Sequence, residues 1–215
     1  LFNHMADIVA ARCDEEAAMG FELLAEEFEQ SIKEGTSTWE YPEEHRILFE
    51  GIPCWPGLKP LFEPLKDNGV NVTAVVYAPA FGFRYENVSV MAAAYCNARC
   101  SVCIDTGVEW RETMAKENGI SGALVNYNRS CKPWSGAMPE IERRWKEDLG
   151  IPVVHFDGDQ ADERNFSTEQ YNTRVQGLVE IMQERKEERL ANGEEVYTNF
   201  ENTKETDWSK ETIKH

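Results

Sequence analysis

A single cysteine stands in Val125-Asn126-Tyr127-Asn128-Arg129-Ser130-Cys131-Lys132-Pro133-Trp134-Ser135, between the apolar run Ala123-Leu124-Val125 and a helical pattern that opens soon afterwards. That order predicts a thiol presented at a strand-to-helix turn. In a parallel α/β sheet such a turn lies at the carboxyl end of the strand, where ligands collect. The helix N-terminus and the flanking Arg129 and Lys132 favour thiolate over thiol. A thiolate so placed is a nucleophile, a redox group or a metal ligand. The competing reading is a packed, inert cysteine, since free Cys is among the most buried residue types.

Other residues narrow the choice. The chain has four histidines, and only His155 falls near a strand end, in a run that reads as a buried strand. It is expected to be core rather than base, so a Cys–His nucleophile pair carries little weight. Cys96, Cys100 and Cys103 form a Cys-x3-Cys-x2-Cys array of the kind that holds an iron–sulfur cluster in radical S-adenosylmethionine enzymes. Those enzymes place it in a loop after a strand, whereas here it follows a helix-like stretch. Joined to Cys131, the three would make a four-thiolate zinc site; thiols at a helix end with no ligand are the plainer reading. Asp157, Asp159 and Asp162 suggest a hard cation, but they lack the glycine and distal Glu of a calcium loop, and a turn capped by carboxylates is favoured. Neither a Walker motif nor G-x-G-x-x-G is present.

The elements that must position these residues follow from periodicity. Residues 4–34 carry Ile8, Phe21, Leu24, Phe28 and Ile32 at helical spacing among acidic residues, and Gly35 ends the pattern. Residues 36–44, with Pro42, read as a linker. Strands are expected at 45–52, 70–78, 123–128 and 151–156, and helices at 53–68 after a turn, at 86–118 with a break near 100–107, and at 138–149. Ser167-Thr168-Glu169-Gln170 fits a capping box that opens a helix running to about 189. Strands alternating with helices imply a four-stranded parallel sheet covered on both faces. The strand ends at 53–55, 79–82, 128–131 and 157–159 should then share one edge, with Trp55, Phe81, Tyr127 and Trp134 clustered around it. The expected division is a helical segment and linker over 1–44, an α/β lobe over 45–190, and a polar tail over 191–215.

A chain of 215 residues is long enough for a sizeable core. The net charge of −17 and pI near 4.7 argue against nonspecific nucleic-acid or anionic-membrane binding. An anionic substrate would need a local cationic or N–H site. With no apolar run of membrane-spanning length and no signal-peptide pattern, the six cysteines are expected to be free thiols or metal ligands in a cytoplasmic protein. The chain opens without Met, already inside a helical pattern, and reads as a piece of a longer polypeptide.

Five segments carry a family resemblance: Leu1-Phe2-Asn3-His4-Met5-Ala6-Asp7, Arg46-Ile47-Leu48-Phe49-Glu50-Gly51-Ile52-Pro53-Cys54-Trp55-Pro56, Tyr77-Ala78-Pro79-Ala80-Phe81-Gly82-Phe83, Tyr127 through Gly136, and Phe156-Asp157-Gly158-Asp159-Gln160-Ala161-Asp162. In these the chain resembles the 2-hydroxyacyl-CoA dehydratase and benzoyl-CoA reductase family, from residue 1 to about 182. The resemblance implies flavodoxin-like (Rossmann-like) lobes, of which this chain holds the C-terminal one. It implies a [4Fe–4S] cluster held by three cysteines, Cys131 being the last, with the other two in an N-terminal lobe absent here; this piece alone would be inactive. Cys96, Cys100 and Cys103 match none of the family's ligand positions.

The implied reaction is reversible dehydration of (R)-2-hydroxyglutaryl-CoA to glutaconyl-CoA. The α-hydroxyl leaves while a β-proton is lost, the wrong polarity for ordinary elimination. One electron added to the thioester makes a ketyl radical that expels hydroxide and acidifies the β-proton. The resemblance further implies a beta subunit and a separate ATP-dependent iron–sulfur activator as partners. Asn128, Arg129, Ser130, Lys132, Trp134 and Ser135, with Trp55 and Phe81, are the expected substrate-binding residues, Arg129 and Lys132 toward the thioester oxygens. The proton-removing base is not assigned. Another 2-hydroxyacyl-CoA, benzoyl-CoA reduction, or a zinc-binding scaffold without catalysis are the alternatives.

Overall fold

In the computed structural model, residues 11, 14–82, 85–99 and 101–194 are described. The first element, α1 (Glu15–Glu34), starts where Asp14 accepts from the Glu16 and Ala17 N–H groups and stops at Gly35, whose φ of 66° is left-handed. The apolar stripe expected here is present, but the helix buries no residue, and Leu23, Phe28 and Ile32 are exposed. Ile8 lies outside the described residues.

From residue 45 the chain alternates. It runs through β1 (His45–Glu50), α2 (Leu58–Asp67), β2 (Val70–Val75), α3 (Val88–Cys96), α4 (Ile104–Glu117), β3 (Gly122–Asn128), α5 (Lys132–Ser135), α6 (Met138–Arg144), β4 (Val153–Gly158) and α7 (Thr168–Ala191). The strands form one parallel sheet in the order β2-β1-β3-β4. Every strand therefore ends on the same side, as the alternating pattern predicts. Two apolar layers cover the sheet. Phe49, Leu124 and Phe156 pack with Leu61 and Leu65 of α2 and with Tyr171, Val175, Leu178 and Met182 of α7. On the opposite face Leu48 and Val125 pack with Val108 of α4, Trp134 of α5, Met138 and Ile141 of α6, and Trp145. Sheets buried on both faces read as continuous apolar runs rather than alternating ones, which is why these strands are visible in the sequence.

Several boundaries differ from the sequence expectation. β1 stops at Glu50 rather than at 52, before left-handed Gly51. β4 begins at Val153 and extends to Gly158 rather than spanning 151–156; Pro152 has no N–H to donate, and pairing with β3 continues through Asn128 and Gly158. β2 stops at Val75, and Ala78–Phe81 form a 3-10 turn opened by Pro79. The helix expected over 138–149 changes at Trp145 to a π-helical turn, Trp145–Leu149, that ends at left-handed Gly150. Ser167 caps α7 by accepting from Gln170 N, as the capping-box pattern predicts. His155 is not core: β4 is an edge strand, and the imidazole is 46% exposed.

Packing at the end of β4 leaves no room for a side chain. A Cβ at Gly158 would stand 2.5 Å from both Asn126 Oδ1 and Cys54 Sγ, whereas one at Gly177, within α7, would meet nothing within 4 Å. Gly158→Ala should therefore cost roughly 1–3 kcal/mol by overpacking, and Gly177→Ala should add about 0.5–1 kcal/mol by helix propensity. Urea unfolding of the two variants checks this; shifts of the same sign would contradict it.

Candidate active site at the carboxyl edge of the sheet

The turn that carries Cys131 is built from its own polar atoms. Asn128, the last residue of β3, accepts at its carbonyl from Cys131 N at 3.1 Å and from Ser135 Oγ at 2.8 Å. Its side-chain Oδ1 accepts from Ser130 N at 3.1 Å. Arg129 N extends the β3–β4 ladder by donating to Gly158 O at 3.1 Å. From across that ladder, Asp159 takes the Ser130 hydroxyl as well as the N–H groups of Ala161 and Asp162. These bonds hold the Asp159 carboxyl down at about 2, the Ser130 hydroxyl contributing most. The loop after β3 is thereby clamped to the loop after β4.

Cys131 is a half-buried free thiol, and it opens a helix of a single turn, Lys132–Ser135, shorter than the sequence suggests. Beside it, burial pushes the Tyr77 phenol up, and the Cys131 charge adds to the shift. Tyr77 is the centre of an aromatic wall: its ring lies 6.3 Å from Trp55, 5.1 Å from Phe81 and 5.7 Å from Trp134. Trp55, Phe81 and Trp134 thus come together as expected, but through Tyr77, which opens the Tyr77–Phe83 segment and is not among the aromatics expected at the edge. Tyr127 does not join them. It packs edge-on against His155 at 4.8 Å, and burial with a hydrogen bond to Glu142 drives its phenol upward. His155 Nδ1 is 3.2 Å from the same carboxylate.

The polar residues expected to bind substrate divide into two groups. The hydroxyls of Ser130 and Ser135 are engaged by Asp159 and by the Asn128 carbonyl, and Asn128 is buried. Trp134 is buried too, and its indole N–H donates to Glu50 Oε1 at 2.7 Å. Arg129 and Lys132, by contrast, are exposed and line one shallow cleft with Tyr127, Asn128, Ser135 and Asp157. Arg129 pairs with Asp157 at 3.2 Å, both 59% exposed. A pair so open to water is worth only about 0–1 kcal/mol, so Arg129 exchanges partners at little cost. These are the cations that an anionic ligand of this acidic chain would meet at the edge.

Beneath the edge lies a charged group in the core. Glu50 ends β1 fully buried, and Arg111 of α4 meets it through Nε at 2.8 Å and Nη2 at 3.3 Å. A lone Glu after Ile47-Leu48-Phe49 is the available sequence signal, because a buried carboxylate requires a partner. Asn126, another polar residue in an apolar strand, donates through Nδ2 to Ile52 O at 2.6 Å and so holds the β1 exit loop. That loop turns at Gly51, with φ 104°, where a Cβ would be 2.7 Å from Asn126 O.

The other thiols behave differently. Cys54 is 2% exposed, and burial pushes its thiol up. Cys96 ends α3, and Cys103 precedes α4 with its sulfur 3.3 Å from Thr106 Oγ1; both are exposed, and Cys100 lies outside the described residues. Among the described residues, no three His, Cys, Asp or Glu side chains gather as a metal site. The carboxylates of Asp157, Asp159 and Asp162 face separate partners, Asp162 capping Arg164 N, which is the capped-turn arrangement.

A carboxyl held at about 2 in the fold, against an ordinary 3.8, contributes stability above pH 3.8 that is lost as pH falls toward 2. Asp159→Asn should remove that part of the acid dependence and lower stability at neutral pH. Urea midpoints measured across this window check it, and an Asp159→Asn curve parallel to wild type would contradict the clamp.

Comparison with known proteins places this chain in a family. The family described as 2-hydroxyglutaryl-CoA dehydratase, D-component, matches residues 1–182. The chain is 63% identical over 183 residues to the (R)-2-hydroxyglutaryl-CoA dehydratase subunit alpha of Acidaminococcus fermentans, covering 85% of this chain and 38% of the relative. It is 50% identical over 187 residues to the (R)-phenyllactyl-CoA dehydratase alpha subunit of Clostridium sporogenes, covering 87% and 46%. To a benzoyl-CoA reductase subunit of Thauera aromatica it is 27% identical over 194 residues, covering 82% and 44%. The chain spans less than half the length of these relatives. From the match across residues 1–182 and this identity, the chain belongs to the 2-hydroxyglutaryl-CoA dehydratase D-component family.

Proposed function

We propose that this chain is the C-terminal, cluster-binding part of the catalytic subunit of a radical 2-hydroxyacyl-CoA dehydratase, acting reversibly on (R)-2-hydroxyglutaryl-CoA to form glutaconyl-CoA. The observation that carries the reading is the free Cys131 thiol at the carboxyl edge, on a turn clamped by Asn128 and Asp159. Identity of 63% to a relative named for that substrate, against 50% to the phenyllactyl relative, supports the choice of acyl group.

The residues present suit one share of a [4Fe–4S] cluster. Cys131 is a soft donor open on one side. Asn128 Nδ2 is a buried N–H donor without a partner among the described residues, as a sulfide acceptor nearby would require. One thiolate cannot hold four irons. We assign the other two ligands to polypeptide outside this chain, which covers 38% of the Acidaminococcus fermentans relative. When bound, the cluster supplies the single electron that reverses the polarity of the thioester.

Around it, the residues of this chain orient and shield. Lys132 and Arg129 donate to the thioester carbonyl oxygen, and the Tyr77, Phe81 and Trp55 rings keep water from the acyl end. Ser130 and Ser135 hold the turn. A second subunit, in keeping with the subunit names of the relatives, completes the enzyme, and an ATP-dependent iron–sulfur activator is its electron donor. Dependence on a CoA thioester and a reduced iron–sulfur donor supports a cytoplasmic location. Among the described residues no helix is long and apolar enough to cross a membrane.

In the complete enzyme, purified without oxygen, Cys131→Ser should lose most of the roughly four iron and four sulfide per cluster, together with dehydration. Lys132→Met should keep the iron and lower kcat/KM by about tenfold, the loss of one charged hydrogen bond. Assays against 2-hydroxyglutaryl-, phenyllactyl- and benzoyl-CoA distinguish the acyl groups. Zinc in place of iron, or full activity of Lys132→Met, would contradict the reading.

A further inference from the structure

We propose that Glu50 is a positioning residue for Cys131: its buried carboxylate holds the Trp134 indole, and through it the turn on which the thiol stands. Its role toward the cluster rests on the function proposed above; the tether itself does not. Three elements meet at this carboxylate. Glu50 belongs to the central strand β1, Arg111 to α4 and Trp134 to α5. Oε1 accepts from the indole at 2.7 Å and from Arg111 Nη2 at 3.3 Å, Oε2 from Arg111 Nε at 2.8 Å. Arg111 is fixed in turn by donating from Nη1 to Gly107 O at 2.8 Å.

Stability alone does not account for this arrangement. Desolvating a carboxylate and a guanidinium is costly, and apolar residues of similar volume commonly serve a core as well or better. Nor does burying an indole here demand an acceptor. Trp145, 1% exposed in the same apolar layer, has an indole N–H with no partner among the described residues. What the carboxylate does supply is direction. Alternation along β1 puts Glu50 on the face of Leu48, toward α4 and α5. The helix after Cys131 is four residues long and begins with no side-chain cap, so it cannot maintain its own orientation. Trp134, three residues after Cys131, is its one buried side chain, and the hydrogen bond to Glu50 sets the rotation of that side chain in the core.

The test uses the intact subunit after anaerobic removal of metal. Iodoacetamide is the probe, and alkylation of Cys131 and Cys54 is followed site by site by mass spectrometry. Glu50→Ala would leave Arg111 buried and unpaired and risks failure to fold, so the tether is cut from the other end. Trp134→Phe removes the indole N–H and keeps an aromatic ring, while Trp145→Phe makes the same change where no hydrogen bond is lost. Alkylation of Cys131 should quicken about tenfold in Trp134→Phe, the gain in open turn that loss of one hydrogen bond to a charged group allows. It should keep the wild-type rate in Trp145→Phe, with Cys54 protected in both. An unchanged Cys131 rate in Trp134→Phe, a rate that rises only in step with Cys54, or an equal rise in Trp145→Phe overturns the proposal. Wild-type enzyme found without iron would overturn the proposed function and leave this labelling contrast to stand or fall separately.

Discussion

Parallel pairing of β3 with β4, carried to the last residue of each at Asn128 and Gly158, is the constraint on which the edge depends. Because the ladder does not fray there, the loops leaving both strands start side by side, and Asp159 reaches Ser130. A slip of one residue would turn every side chain of β4 to the opposite face and bring a different residue opposite Asn128. The absence of a side chain at Gly158 is part of the same construction, since Asn126 and Cys54 occupy that space. One backbone register thus sets the height of Cys131 above the sheet.

Polar groups inside the sheet do the finer work. Asn126 fastens the β1 exit loop, Asn128 gathers three donors from the Cys131 loop, and Glu50 draws α4 and α5 to the central strand. Each interrupts an apolar run, and each costs desolvation that its hydrogen bonds offset. Among the described residues, the side chains of the exposed cations Arg129 and Lys132 make one ion pair, the weak one between Arg129 and Asp157. In a chain of net charge −17, two such cations at the edge form a local exception that an anionic ligand can use.

Much of this is legible in the sequence, for identifiable reasons. Buried parallel strands are contiguous apolar runs, so all four are visible, and Cys131 stands out through its place between strand and helix. Pro152 shifts β4 because ladder donors matter more than hydropathy at a strand start. His155 reads as core because the sequence does not say which strand lies at an edge. Trp134 reads as a wall of the pocket because a pattern of aromatics carries no direction; its indole turns inward to a carboxylate that is 84 residues away in sequence. Arg111, 61 residues from Glu50, is beyond reach for the same reason. Tyr77 falls in a family segment but also inside the strand expected over 70–78, so its place at the centre of the wall shows only once β2 stops at Val75 and the strands are assembled.

The central claim is that Cys131 supplies one sulfur to an iron cluster at the shared edge of this sheet. Anomalous diffraction at the iron edge, on crystals of the complete enzyme grown without oxygen, addresses it most directly. The account predicts a strong iron peak at bonding distance from Cys131 Sγ, with the remaining thiolates contributed from outside this lobe. Iron found elsewhere, with Cys131 Sγ unbonded, would contradict it.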